Sequence, residues 1–199
     1  MSKTLGCLIA VAVVVVILGG WAVGSYNGLV DAEQNVEAKW ANVQSAYQRR
    51  LDLIPNLVST VKGAADFERS TLNQVVEARS RVGQVSAQAT SEILSDPQKF
   101  AQFQQAQDGL SSALSRLLVV VERYPELKAT TGYRDLMVGL EGTENRINVE
   151  RNNFNEAAQG YNTRIKSFPG VLVARLAGFA AKPYFQSQAG AETAPKVEF

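Results

Sequence analysis

The sequence predicts an all-α protein. An N-terminal transmembrane helix leads into an elongated antiparallel up-and-down helical bundle of three or four long segments, with a short C-terminal helix. Three observations carry this. Residues 5–23 read LGCLIAVAVVVVILGGWAV, without a charge. Beyond residue 25, apolar residues recur at three- and four-residue spacing, the period of a helix face. No stretch alternates apolar and polar residues with the period of two that a half-buried strand requires.

The chain divides accordingly into a flank (1–4), an anchor (5–24), a bundle (25–168), a short apolar helical segment (169–185) and a tail (186–199). The anchor is long enough to cross a bilayer core, which takes about 20 helical residues. It exceeds the apolar core of a cleaved signal peptide and is followed by no small-residue cleavage site. TLGC, with only six residues ahead of Cys7, leaves no room for a lipoprotein signal. Lys3 before the anchor, against Asp31, Glu33 and Glu37 after it, is expected to leave the N-terminus in the cytoplasm and the bundle on the far side of the membrane.

In the bundle, Leu29, Val36, Trp40, Val43, Tyr47, Ile54, Val58, Val61, Ala65, Leu72, Val75 and Val82 form one stripe close to a heptad. Pro55 falls inside it. An interior proline removes a backbone hydrogen bond and costs about 3 kcal/mol, yet Tyr47, Ile54 and Val61 keep their seven-residue phase across it. The spacing therefore predicts a kinked but continuous helix about 90 Å long; a tight turn at Pro55 is the alternative. A kink gives three segments and leaves 171–185 far from the membrane. A turn gives four and returns that stretch to the lipid surface.

After the polar stretch QVSAQATSEILS, Asp96 is the expected N-cap of a new helix with Pro97 at its first position. Phe100, Phe103, Leu110, Leu114, Leu117 and Val121 line its inner face. RYPELKATTGY breaks the pattern. The last long helix is lined by Leu136, Leu140, Ile147, Phe154, Ala158, Tyr161, Ile165 and Phe168, and FPG stops it. The final residues are small and polar, and a disordered tail is expected.

The composition narrows the chemistry. Twenty basic residues balance nineteen acidic ones, so nothing marks nucleic acid as a partner. Histidine is absent, and with it the commonest general base and metal ligand. Cys7 alone builds neither an intramolecular disulfide nor a zinc site. Glu141, Glu144 and Glu150 share a helix with Arg146 and Arg151, a pattern that reads as ion pairing, not as a catalytic carboxylate pair. Catalytic residues, cofactors and metals are not expected.

Ordered blocks carry a family likeness: YNGLV, VEAKWANVQSAYQRRLDLIPNLVSTVKG, LSSALSRLLVVVERYPELKA, LEGTENRINVERNNFNEAAQGYN and FPGVLVARLAGFAAKPYF. Together, over residues 26–185, they resemble the LemA family. Leu51, where alanine is frequent, is a small departure. The resemblance implies a single-pass bacterial membrane protein with a helical-bundle body and no established enzymatic activity, and one relative serves in magnetosome membrane organelles.

Four sets of residues stand out. Arg49, Arg50 and Asp52 beside Pro55 are hinge and register candidates: they either dock a partner or, with Arg50 seven residues after Val43, reach Glu122, Glu144 or Glu150 inside the bundle. Asn145, Asn148, Asn152, Asn155, Gln159 and Asn162 form an amide stripe. It either faces the first helix near Asn35 and Asn42, seats another subunit, or is solvated. Gly20, Gly24 and Gly28, spaced by four, have the small-residue pattern of helix association in bilayers. Arg175, Phe179, Lys182, Tyr184 and Phe185 are a candidate membrane-surface contact, against a role as a cap on the core. The expected partners are the lipid bilayer and further copies in a homo-oligomer. The function expected is a membrane-organising scaffold, or alternatively a non-assembling adaptor for another envelope membrane protein such as a protease or its regulator.

Overall fold

The computed structural model describes residues 3–63, 68–88 and 90–186, and every regular element among them is an α-helix. Helix α1 (Lys3–Lys62) is one unbroken helix of 60 residues, about 90 Å long at 1.5 Å per residue. Its apolar start is bare: Leu8, Val16 and Ile17 are all more than half exposed. Farther along, Val36, Trp40, Val43, Tyr47, Arg50, Ile54, Leu57 and Val61 are buried at alternating four- and three-residue steps. That is a heptad-like spacing of buried positions, on the same helix as the apolar anchor.

Pro55 sits inside α1 on its exposed side. Proline has no N–H, so the carbonyl four residues earlier, that of Leu51, loses its helical donor. Arg79 of the second helix supplies one, its Nε donating to the Leu51 oxygen at 3.3 Å. The proline leaves a carbonyl open, and a neighbouring helix fills it.

The reversal expected at Pro55, or not at all, occurs after Lys62. The stripe running to Val82 therefore belongs to two helices, and the expected uninterrupted helix is corrected. Helix α2 (Arg69–Ser86) returns along the bundle, α3 (Thr90–Ser95) follows, and α4 (Pro97–Val121) runs outward again. Asp96 caps α4, its carboxylate accepting from the Gln98 and Lys99 amides at 2.8 and 3.4 Å. The short α5 (Pro125–Ala129) turns the chain into α6 (Thr131–Lys166). Helix α6 lies antiparallel to α1: Glu144 meets Arg50, and Arg164 meets Gly28. Helices α2 and α4 form the second antiparallel pair, with Arg123 on Glu68 and Arg116 on Gln74.

An even number of long passes brings the chain back to where α1 leaves its apolar anchor. Helix α6 ends at Lys166, so Phe168, expected on its inner face, is 80 % exposed instead. Helix α7 (Gly170–Ala177) begins against the end of α6, where a Cβ on Gly170 would meet the Arg164 carbonyl at 2.6 Å. Only glycine fits there. Gly178 closes α7 at φ 79°, in the left-handed region glycine tolerates. The chain then continues without regular structure to Gln186; the tail beyond lies outside the described residues.

The core falls into two clusters. The one nearer the anchor includes Leu29, Trp40, Phe100, Phe103, Phe154, Tyr161 and Phe185. The distal one includes Ile54, Leu57, Val75, Leu110, Leu117 and Leu140. On α1, α4 and α6 the divide falls at Arg50, Gln107 and Thr143–Glu144.

The Arg79 bond yields a double-mutant expectation. Arg79→Ala should lower stability by about 1 kcal/mol, the net value of an ordinary hydrogen bond. In a Pro55→Ala background, where the new backbone N–H restores the helical donor to the Leu51 carbonyl, the same change should cost less than half as much. Chemical unfolding of the full-length protein in detergent, followed by circular dichroism, measures the coupling; equal costs would sink the account.

Candidate functional site

Arg50 holds a seam position of α1, seven residues from Val43 and from Leu57, and is 2 % exposed. A guanidinium there must be hydrogen-bonded and paired, because burying a bare charge is prohibitive. The neighbouring helices answer with a polar layer. Nη1 donates to Ser111 Oγ at 2.8 Å and Glu144 Oε2 at 3.0 Å. Nη2 donates to Gln107 Oε1 at 2.5 Å and to the Gln107 carbonyl at 3.3 Å. The Tyr47 ring lies 5.1 Å from the guanidinium carbon. Of the three glutamates considered from the sequence, Glu144 is the partner. Glu122 instead pairs with Lys128, and Glu150 pairs with Arg146.

Arg49 and Asp52 are exposed, with Asp52 accepting from Gln48 at 2.7 Å. They do not join the layer. Gln107 and Ser111 do, and the sequence reading missed them. The signal was there for Gln107, a polar residue at the seam position between Phe103 and Leu110. The layer floors an open cleft of about 680 Å³, also lined by Asp108, Asn148, Arg151 and Asn155. Arg50 Nε and Gln107 Nε2 are buried without a partner.

The amide stripe divides. Asn155 and Asn162, seven residues apart, each clamp the backbone after α7. Asn155 bonds the Phe185 amide and carbonyl at 2.9 and 3.0 Å. Asn162 bonds the Lys182 amide and carbonyl, both at 2.8 Å. The spacings match: seven helical residues rise about 10.5 Å, and three extended residues span about 10 Å. Residues 179–186 thus lie as a strap along α6. Asn145, Asn148, Asn152 and Gln159 are exposed, as are Asn35 and Asn42, so the stripe makes no seam with α1.

The strap delivers Phe185 into the aromatic cluster, 4.8 Å from Phe100, 5.5 Å from Phe154 and 6.0 Å from Trp40. It delivers Lys182 to Glu33 of α1 at 2.6 Å. The expectation that these two residues touch lipid is therefore corrected: both face the bundle. Phe179 packs on Tyr26, ring centroids 5.6 Å apart, while Arg175 and Tyr184 are exposed. Gly20 and Gly24 are exposed, Gly28 is half-buried with its carbonyl accepting from Arg164 at 3.1 Å, and a Cβ at any of the three would meet nothing.

Chemically, the layer is an ion pair with polar support. Burial pushes the Tyr47 hydroxyl up to about 12 despite the lowering charges of Arg151 and Arg50. Burial, with the Glu33 charge adding to it, raises Tyr161 to about 12. Both phenols therefore stay neutral, and Tyr161 donates to the Ala180 carbonyl at 3.0 Å. Among the described residues no cluster of three carboxylates or thiols is placed to hold a metal.

Residues 39–199, most of the bundle sequence, match the LemA family. The chain belongs to the LemA family. It is 29 % identical over 182 residues to magnetosome protein MamQ 2 of Paramagnetospirillum magneticum, covering 84 % of this chain and 67 % of that protein. Magnetosome protein MamQ of Magnetospirillum gryphiswaldense gives the same identity and coverage. Protein LemA of Metamycoplasma hominis is 24 % identical over 146 residues, covering 73 % of this chain and 62 % of that protein. With its apolar N-terminal span, this LemA-family chain is a membrane-associated helical bundle.

Two expectations follow. Gln107→Leu strips the buried guanidinium of an acceptor and should cost about 2 kcal/mol. Arg50→Leu removes the charge itself, leaves Glu144 half in water, and should stay within about 1 kcal/mol of the parent. Thermal unfolding of the full-length protein checks both, and Gln107→Leu added to Arg50→Leu should then be nearly silent. The second concerns pH. Unfolded, Tyr47 and Tyr161 titrate near 10; folded, they hold their protons to about 12. Between these values the unfolded state has released protons that the folded state keeps, so stability falls as pH rises. Melting temperature should drop between about pH 10 and about pH 12, with a shallower drop in the Tyr47→Phe, Tyr161→Phe variant.

Proposed function

We propose that this protein is a membrane-anchored scaffold: its span associates laterally through the Gly20, Gly24, Gly28 face, and the assembled bundles organise or remodel the bacterial membrane. The observation that carries the reading is the unbroken α1, a single helix from the anchor through the distal core. A helix without a hinge transmits any packing chosen within the bilayer to the bundle outside it. The glycines lie open on that helix, so a second span could approach closely. We place the anchor in the cytoplasmic membrane with the bundle on its outer side, on the charge asymmetry around residues 5–23. The magnetosome relatives support a task at a membrane organelle or surface, and no catalytic step enters this reading.

An adaptor role is the second reading, favoured by the cleft over Arg50 with its two unpartnered buried donors. One experiment separates the two. The mass of full-length protein in mild detergent is expected to be that of an oligomer, and Gly20, Gly24, Gly28→Leu is expected to reduce it to the monomer. A monomer in both samples would overturn the scaffold and leave the adaptor.

A further inference from the structure

We propose that α7 is a second membrane contact, a foot that seats Phe168, Leu172 and Leu176 in the headgroup layer of the bilayer crossed by α1. It rests on the anchor, not on self-association.

Position comes first. Helix α7 packs on both α1 and α6. Phe179, just past its end, meets Tyr26, and Arg164, just before it, meets Gly28. Tyr26 stands three residues beyond Val23, where the apolar run of the span closes. Three residues are about 4.5 Å of helical rise, and each headgroup layer is about 5–8 Å deep. The foot is therefore level with the headgroups.

Its faces are sorted. Ala174 is 3 % exposed and Val173 packs on the core, so one side of α7 caps the anchor-proximal cluster. On the other side Leu172 is 50 % and Leu176 91 % exposed, one turn apart, with Phe168 at 80 % leading into them. Outside the span, Val76, Val119 and Val138 are exposed singly on α2, α4 and α6, and Val149 stands three turns along α6 from Val138. The charges suit a lipid surface. Arg175 is exposed beside Leu176, and Lys166 is exposed at the end of α6. Of the nearby acids on α1, Glu33 is paired with Lys182, which leaves Asp31. An apolar edge with basic neighbours at headgroup depth is the pattern of an interfacial helix.

The test uses full-length protein in vesicles containing anionic lipid, with Cys7→Ser as background and one fluorescent label at a time. Leu176→Cys should be several-fold less accessible to a water-soluble quencher than Val119→Cys on α4, and should be quenched by lipid carrying a headgroup-depth quencher. Val14→Cys, inside the span, reports the anchor itself. Leu176→Cys as accessible to water as Val119→Cys, with Val14→Cys shielded, overturns the foot alone. Val14→Cys open to water overturns anchor and foot together. Protection of Leu176→Cys that disappears on dilution of protein in lipid means a second copy covers the patch, and also overturns the proposal.

Discussion

One seam position of α1 carries a buried charge, and α4 and α6 meet it with polar partners. Without Arg50, the α1 seam of Val36, Val43 and Leu57 would be nearly uniform, and a slip of one heptad, about 10.5 Å, would still bury apolar against apolar. With Arg50, such a slip along α4 sets the guanidinium at the level of Phe100 or of Leu114 in place of Gln107. Breaking a buried pair costs several kcal/mol. Only the observed register gives Arg50 its Gln107, Ser111 and Glu144. That register also decides where α6 ends. With Glu144 held at Arg50, twenty residues of α6 end at Arg164, beside Gly28, and α7 arrives at the membrane exit as a consequence.

Much of this was legible in the order of the residues. The alternating three- and four-residue spacing identified the seams, Asp96–Pro97 marked a helix start, and the phase kept across Pro55 argued for continuity. The reversal after Lys62 was hidden, because Val61, Ala65, Leu72 and Val75 keep a helical spacing through it and Gly63 is a weak stop signal on its own. That one missed reversal changed the parity of the bundle. Continuity at Pro55 had implied a C-terminal segment at the end of the bundle away from the anchor; the helix is continuous and the segment nevertheless packs beside the start of the bundle, with Phe179 on Tyr26. The local inference held while its global consequence failed.

The site was legible in part for a different reason. Helical partners share a period, so Arg50 could be matched to glutamates on another helix by spacing alone. Asn155 and Asn162 also sit at seam spacing, but they bond extended backbone at Lys182 and Phe185, which carries no period to recognise. Gln107 is a good helix former that looks like surface until its place between Phe103 and Leu110 is weighed. The strap's aromatic plug, Phe185, reads as an exposed tail residue for the same reason: nothing local announces that Asn155 holds it against Trp40 and Phe100.

The polar layer, the strap and the foot bear on one mechanical question, which is the attitude of the bundle to the bilayer. A bundle tied to lipid by one helix can tilt about that helix even when the helix has no hinge. Residues 25–62 extend about 57 Å beyond the anchor, so a small tilt at the base is a large displacement at the tip. A second contact beside the first, at Phe168, Leu172 and Leu176, opposes tilting toward one side. Its position depends on the register in which Arg50 meets Glu144 and on the bonds from Asn155, Asn162 and Lys182 that hold the chain beyond α7. On this reading the buried charge in mid-bundle and the apolar edge at the membrane belong to one device. Association through the spans would then juxtapose bundles of a common orientation, the condition under which a set of stalks can impose a shape on the membrane beneath them.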